Sequence, residues 1–171
     1  IQMIQDNMVS ILGWIKYEKV KWLQNNNPEV PGIVYKLAQD DEKARKLDNV
    51  RKLWDAILEI RPVKNVFMDG DINRESYAVD HFIPRNFVMN DELWNLMPMD
   101  PIQNMKKNKK LPVWENYFGQ FANNQFMMYE MIFEKPELLK LYKQCYKDNL
   151  HSIWAIQELY RKGNSADEFR N

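Results

Sequence analysis

The stretch from Tyr77 to Pro112 constrains the fold of this chain more than any other part. It reads as a short strand, an irregular loop and a short basic helix, set between long segments of helical periodicity. Asp80 and His81 stand at the end of the strand, Asn95 in the loop and Asn104 on the helix. The helix is the best bounded of the three. Asp100 suits the N-cap, Pro101 the first helical position and Gln103 the third place of a capping box, and Pro112 lies beyond the other end. The spacing predicts a helix over about 101–110. On it Asn104, Lys107 and Asn108 fall at i, i+3 and i+4 and share a face. Lys106, Lys107, Lys109 and Lys110 make it strongly positive, and Arg85 lies in the preceding loop. Such a patch suits a phosphodiester backbone, although a run of lysines also serves as a plain solvated face. Asp80 and His81 are adjacent, so strict alternation would send them to opposite faces. To serve one site the strand must end or bulge there, and Pro84 favours an ending.

The flanks read as scaffold. Met3, Ile4, Met8, Ile11, Leu12, Ile15 and Trp22 predict one amphipathic helix over residues 1–24, stopped by Asn25-Asn-Asn-Pro28. A short helix follows from Pro31 to about Leu37. A third begins near Asp40 or Asp41, buries Leu47, Val50, Leu53, Trp54, Ile57 and Leu58, and ends at Pro62. Val63–Met68 and Tyr77–Val79, separated by the turn chemistry of Asp69-Gly70-Asp71, read as a β-hairpin with a long loop. Residues 114–133 and 136–161 are helical again, with Gly163 just past the end and a polar tail, 164–171, expected to fray. The expectation is an α+β fold, mostly α. A core at 63–113 lies between an N-terminal helical region, 1–62, and a C-terminal one, 114–171, in one compact unit.

Composition narrows the class. At 171 residues, 45% hydrophobic and 28% charged, the chain is long enough and apolar enough for a packed core. The single Cys145 excludes an internal disulfide and a cysteine zinc site, and fits a reducing cytoplasm. No apolar run reaches the roughly 18 residues of a membrane span, and no signal peptide is visible. A net charge of zero counts against nucleic acid only if charge is spread evenly, and the lysines of residues 106–110 are not. Asp69-Gly-Asp-Ile-Asn73 imitates a calcium loop but has Arg74 where Gly is required and Asp80 where Glu is required, so it reads as a turn. His151 has no second ligand at metal spacing, Cys145 reads as a buried thiol, and the flanking Trp and Tyr side chains read as core more than as base-stacking platforms.

The ensemble in 77–112 resembles the HNH nuclease family, whose core is a β-hairpin plus helix around one divalent metal. Asp80-His81-Phe-Ile-Pro84 matches the family's Asp-His opening. Asn95, fourteen positions after His81, matches the middle Asn, and Asn104, nine further on, stands at the third position. Asn there, in place of His, is similar to the HNH domains of RNA-guided CRISPR nucleases. Asp91-Glu-Leu-Trp-Asn-Leu-Met-Pro98, with Asn104, Lys107 and Leu111-Pro112, looks like a bacterial subgroup. The zinc-binding Cys pairs of many members are absent, Asn86 stands where Ser is common and Arg85 replaces a frequent Trp.

The resemblance implies a cytoplasmic enzyme of bacterial or phage type that cleaves nucleic acid, with DNA as the expected substrate. It implies His81 as general base, Asp80 and the Asn104 carboxamide as ligands of one Mg²⁺ or Mn²⁺ (Asn108 being the alternative ligand), and Asn95 as the residue that pins the loop orienting His81. One site makes one nick, so a double-strand break would need a homodimer or a second nuclease. The competing readings are an RNA-cleaving effector and a binding module with a vestigial site. Intact Asp80, His81 and Asn104 argue against the second.

Overall fold

The computed structural model describes residues 2–26, 46–88 and 90–170. They divide between two units, residues 1–44 with 86–90, and residues 45–85 with 91–171. The helix expected near Pro31 and the expected helix start at Asp40 or Asp41 lie outside the described residues.

In the first unit, α1 (Gln2–Asp6) and α2 (Met8–Asn26) replace the one helix anticipated over residues 1–24, with a turn at Asn7 between them. α2 is described as far as Asn26, whose side chain donates back to the Trp22 carbonyl, and the rest of the expected stop at Asn25-Asn-Asn-Pro28 lies outside the described residues. The apolar stripe is not core: no residue of α2 is buried, and Trp14 and Trp22 are about two-thirds exposed.

The second unit holds α3 (Asp48–Ile60), β1 (Ala78–His81), β2 (Leu96–Met99), α4 (Pro101–Lys107), α5 (Trp114–Glu134), α6 (Pro136–Asn149) and α7 (Ala166–Arg170). In α3, Val50, Leu53, Trp54 and Ile57 are wholly buried, as the 3.6-residue periodicity demands, and Leu47 and Leu58 pack partly against the same core. This face lies against α6, which in turn packs on α5. The helix opens at Asp48, after two non-helical residues, with the Asp48 carboxylate in its first turn.

The sheet differs from the expected hairpin. β1 pairs antiparallel with β2, Ala78 opposite Met99 and His81 opposite Leu96. Residues 63–72 instead close on themselves: Ile72 N–H donates to the Val63 carbonyl, Asn65 N–H to that of Gly70, and Lys64 bridges Asp71. Gly70, at φ +101°, takes the left-handed turn. The segment read as irregular loop thus supplies the second strand. It carries no β-branched residue and has Pro98 inside, which a two-stranded sheet tolerates because each strand has a free edge. β2 is buried on both sides. Leu96 faces the main core, while Met97 and Met99 join Val66, Phe82 and Phe121 in a second apolar cluster.

Two corrections fall in the C-terminal region. α6 stops at Asn149 instead of running to Arg161, and a π-helical turn, Ala155–Leu159, follows. The break is held by side chains from elsewhere. Asn149 Nδ2 donates to the carbonyls of Lys46 and Asp91, and buried Glu92 Oε1 accepts from the amides of His151 and Ser152, both at 2.9 Å. The tail is not frayed. Ser165 and Glu168 form a reciprocal capping box at the start of α7. Phe169 is buried against the rings of Tyr129 and Phe126, and the Tyr129 hydroxyl accepts from the amides of Gly163 and Asn164. Cys145 is fully buried, and burial pushes its thiol up to about 12. Trp54 is core, as expected of the aromatic residues, but Trp114 and Trp154 are half exposed. No described helix is long and apolar enough to cross a membrane.

Because Phe169 docks the tail, Phe169→Ala is expected to lower unfolding stability by about 3 kcal/mol, and Ser165→Ala by about 1 kcal/mol. Urea denaturation followed by circular dichroism checks both. A free tail would leave the midpoint unmoved.

Candidate active site

The site begins where β1 ends. Residues Ala78 to His81 alternate between half-buried and buried, and the ladder closes at His81 opposite Leu96. Beyond it Asn95 takes over. Its carbonyl accepts from Phe82 N–H at 2.8 Å, its Oδ1 accepts from Ile83 N–H at 2.8 Å, and its Nδ2 donates to the Ile83 carbonyl at 2.8 Å. Asn95 is wholly buried, so these bonds form in a medium where a missing one is expensive. The chain bends away from the strand direction, and the neighbours Asp80 and His81 converge. Asp80 Oδ1 stands 3.7 Å from His81 Nδ1.

A second carboxylate, not assigned from the sequence, meets the other ring nitrogen. Asp91 Oδ1 lies 3.0 Å from His81 Nε2 and 3.7 Å from Arg85 Nε. The imidazole therefore stands between two acids. Its side chain is only 1% exposed, whereas Asp80 and Asp91 are 19% and 15% exposed, so the acids form the open edge of the cluster. Nothing in the sequence distinguishes Asp91 from the chain's other acids. Its place is set by the short 3-10 turn Leu93–Asn95 that leads into β2.

α4 supplies the third side. Asp100 caps it by accepting from the amides of Ile102 and Gln103, with Pro101 in the first turn, as the sequence predicts. The helix is one turn shorter than expected. It ends at Lys107, and Asn108 follows at φ +48°, outside the helical face it was expected to share. Lys107 points inward, 6% exposed, with Nζ 3.5 Å from Asp80 Oδ2. It is thereby set apart from Lys106, Lys109, Lys110 and Arg85, which are all exposed. Asn104 precedes Lys107 by one turn, on the face that Lys107 turns toward β1, and is partly buried.

Charges in this corner oppose burial. Burial alone would raise the Asp80 carboxyl, but the contact with His81 and the Lys107 ammonium outweigh it and hold the group below its ordinary value. Burial lowers Lys107, against the pull of Asp80. A cation already rests against Asp80, and the hard oxygens of Asp80 and Asn104 are the donor type that Mg²⁺ and Mn²⁺ take. Among the described residues no three His, Cys, Asp or Glu side chains cluster as a metal cage. An ion taken by Asp80, alone or with Asn104, would keep much of its water.

Residues 66–113 match a protein-family model described as HNH endonuclease. That span contains both strands, α4, and all of Asp80, His81, Asp91, Asn95 and Asn104. No curated protein and no solved structure matches the chain.

Asn95→Ala removes both bonds to Ile83 and leaves buried backbone groups unpaired. The expected loss is about 2–3 kcal/mol, read by thermal unfolding, with faster amide hydrogen exchange at Ile83. Unchanged exchange at Ile83 would contradict the clamp.

Proposed function

We propose that the protein, whose residues 66–113 match an HNH endonuclease family model, is a metal-dependent endonuclease hydrolysing phosphodiester bonds of DNA. The observation that carries this reading is the His81 imidazole set between Asp80 and Asp91 beneath the face of α4 that bears Lys107.

His81 is the general base. In this reading the ring proton sits on Nε2, 3.0 Å from the Asp91 carboxylate, and Nδ1, on the side of Asp80, carries the lone pair. A water bound there gives its proton to Nδ1 as its oxygen attacks phosphorus and the bond to the leaving 3′ oxygen breaks. Asp91 holds the tautomer and stabilises the imidazolium that forms, which makes it a positioning residue. A divalent cation held by Asp80 and the Asn104 carboxamide oxygen would neutralise the phosphate and the leaving oxygen. Asn95 keeps the loop after His81 in one conformation. Arg85, Lys106, Lys109 and Lys110 are exposed cations suited to flanking phosphates. Lys107 has a different part: its ammonium balances Asp80 and reaches the same corner as the scissile phosphate.

The test is cleavage of supercoiled plasmid, with RNA in parallel, in Mg²⁺ or Mn²⁺. Chelation is expected to abolish cleavage, and His81→Ala to slow it by about 10²–10⁴-fold. Asp91→Ala is expected to cost about 10–100-fold, and Asn104→Ala to be partly rescued by added metal. Cleavage of RNA alone would move the substrate, and cleavage of neither polymer would overturn the reading.

Lys107 gives a separate expectation, because its charge opposes that of any divalent ion at Asp80. Lys107→Met should bind Mn²⁺ more tightly by calorimetry and yet cleave more slowly. Weaker Mn²⁺ binding in this variant would show that the two cations do not share Asp80.

A further inference from the structure

A cleft of about 690 Å³ lies within the second unit, walled in part by the residues that follow His81 in the chain. Its lining includes Phe82 and Ile83, the two residues that follow His81 and that Asn95 clamps. Trp114 and Phe118 of α5 also line it, as do Trp94 and Trp154. Trp114 and Phe118 stack at 3.9 Å, and Trp94 meets Trp154 edge to face at 6.3 Å. Trp114 is 50% exposed and Trp154 55%, an unfavourable display of apolar surface unless something covers it.

We propose that this cleft receives an unpaired nucleobase of the substrate strand, so that the enzyme engages single-stranded or locally opened nucleic acid. The occupant rests on the nuclease reading above; three further features select a base over other parts of the polymer. First, the lining charges cancel: Arg161 and Arg170 are matched by Glu158 and Glu168, and Arg161 pairs with Glu168 at 3.6 Å. The cleft therefore does not select for phosphate; its flat aromatic faces suit an uncharged ring. Second, two residues of its wall hold an unmatched donor and an unmatched acceptor just beneath the surface, where a small side-chain rotation would present them. Trp94 Nε1 and Gln125 Oε1 are buried and lack hydrogen-bond partners among the described residues. The edge of a base offers the complementary pair. Third, the cleft continues the basic segment. Lys110 precedes Trp114 by four residues, a span of at most about 14 Å, so a backbone held at the lysines lies within reach of the aromatic walls.

The experiment is fluorescence anisotropy with a labelled single-stranded oligonucleotide, the same backbone made abasic, and the matching duplex, all in chelator so that nothing is cut. The single strand is expected to bind about 5- to 100-fold more tightly than the abasic strand. Trp114→Ala and Trp154→Ala should erase that difference while keeping the salt dependence. Should either variant unfold, the wild-type comparison of normal and abasic strands decides alone. Equal affinity for the two strands, or a difference unaltered in both folded variants, overturns the proposal. So does a concentration-dependent dimer that Trp154→Ala dissolves, since a second copy would then fill the cleft. Base-dependent binding without cleavage of any polymer would sink the nuclease reading and leave the cleft standing; cleavage with base-blind binding would do the reverse.

Discussion

The structure depends on one buried carboxamide. Asn95 ties both backbone groups of Ile83 with its side chain while its own carbonyl holds Phe82 N–H. A strand side chain points to alternate faces, and nothing in a regular ladder brings neighbouring residues to one side. Asn95 ends the ladder at His81 and turns the chain, which makes a shared Asp80–His81 site geometrically available. Asp could not replace it, having no donor for the Ile83 carbonyl, and Gln is a methylene too long for the same closed ring.

Around that bend the charges are arranged in a row. Asp91 meets one ring nitrogen, Asp80 approaches the other, and Lys107 closes the far side of Asp80. Each of these partly buried acids has a positive or ionisable neighbour, which is the condition under which charges persist with little water. The row also has a direction. Asp91 lies 3.7 Å from Arg85, the exposed first residue of a one-turn helix (Arg85–Val88), and Lys107 belongs to a helix whose other lysine, Lys106, is exposed, so the cluster lies between two cationic flanks. A polyanion approaching it meets positive charge on either side before it reaches the acids.

Much of this was legible in the residues, and the failures have physical reasons. The α3 stripe and the Asp100–Pro101 helix start came through because periodicity and capping are local signals. The strand partner did not. Leu96-Met-Pro-Met99 lacks β-branched residues and contains a proline, and only burial on both faces makes it a strand. The helix break after Asn149 was invisible because its cap, Glu92, arrives from almost sixty residues away. The capping box Ser165-Ala-Asp-Glu168 is a local signal masked by the polarity of the tail around it, and Phe169 is its buried face. Asp91 could not be picked out: an acid becomes a partner of histidine only when the fold supplies the 3.0 Å contact.

Asp91 and Glu92 together explain why the C-terminal region is built as it is. Asp91 supports the imidazole with its side chain, and its carbonyl accepts from Asn149, the last residue of α6. Glu92, the next residue, accepts from the two amides that the end of α6 leaves open. Two consecutive acids thus connect His81 to the helical layer, one by each end of the same peptide. Had α6 continued to Arg161, those amides would be spent inside the helix and the Glu92 carboxylate would be buried without a donor. The break therefore does two things at once. It gives one oxygen of a buried acid its two donors, and it frees the segment carrying Trp154 from the α6 axis, so that this ring lines the cleft. The setting of the His81 ring and the shape of the cleft are in this way tied to one pair of neighbouring residues.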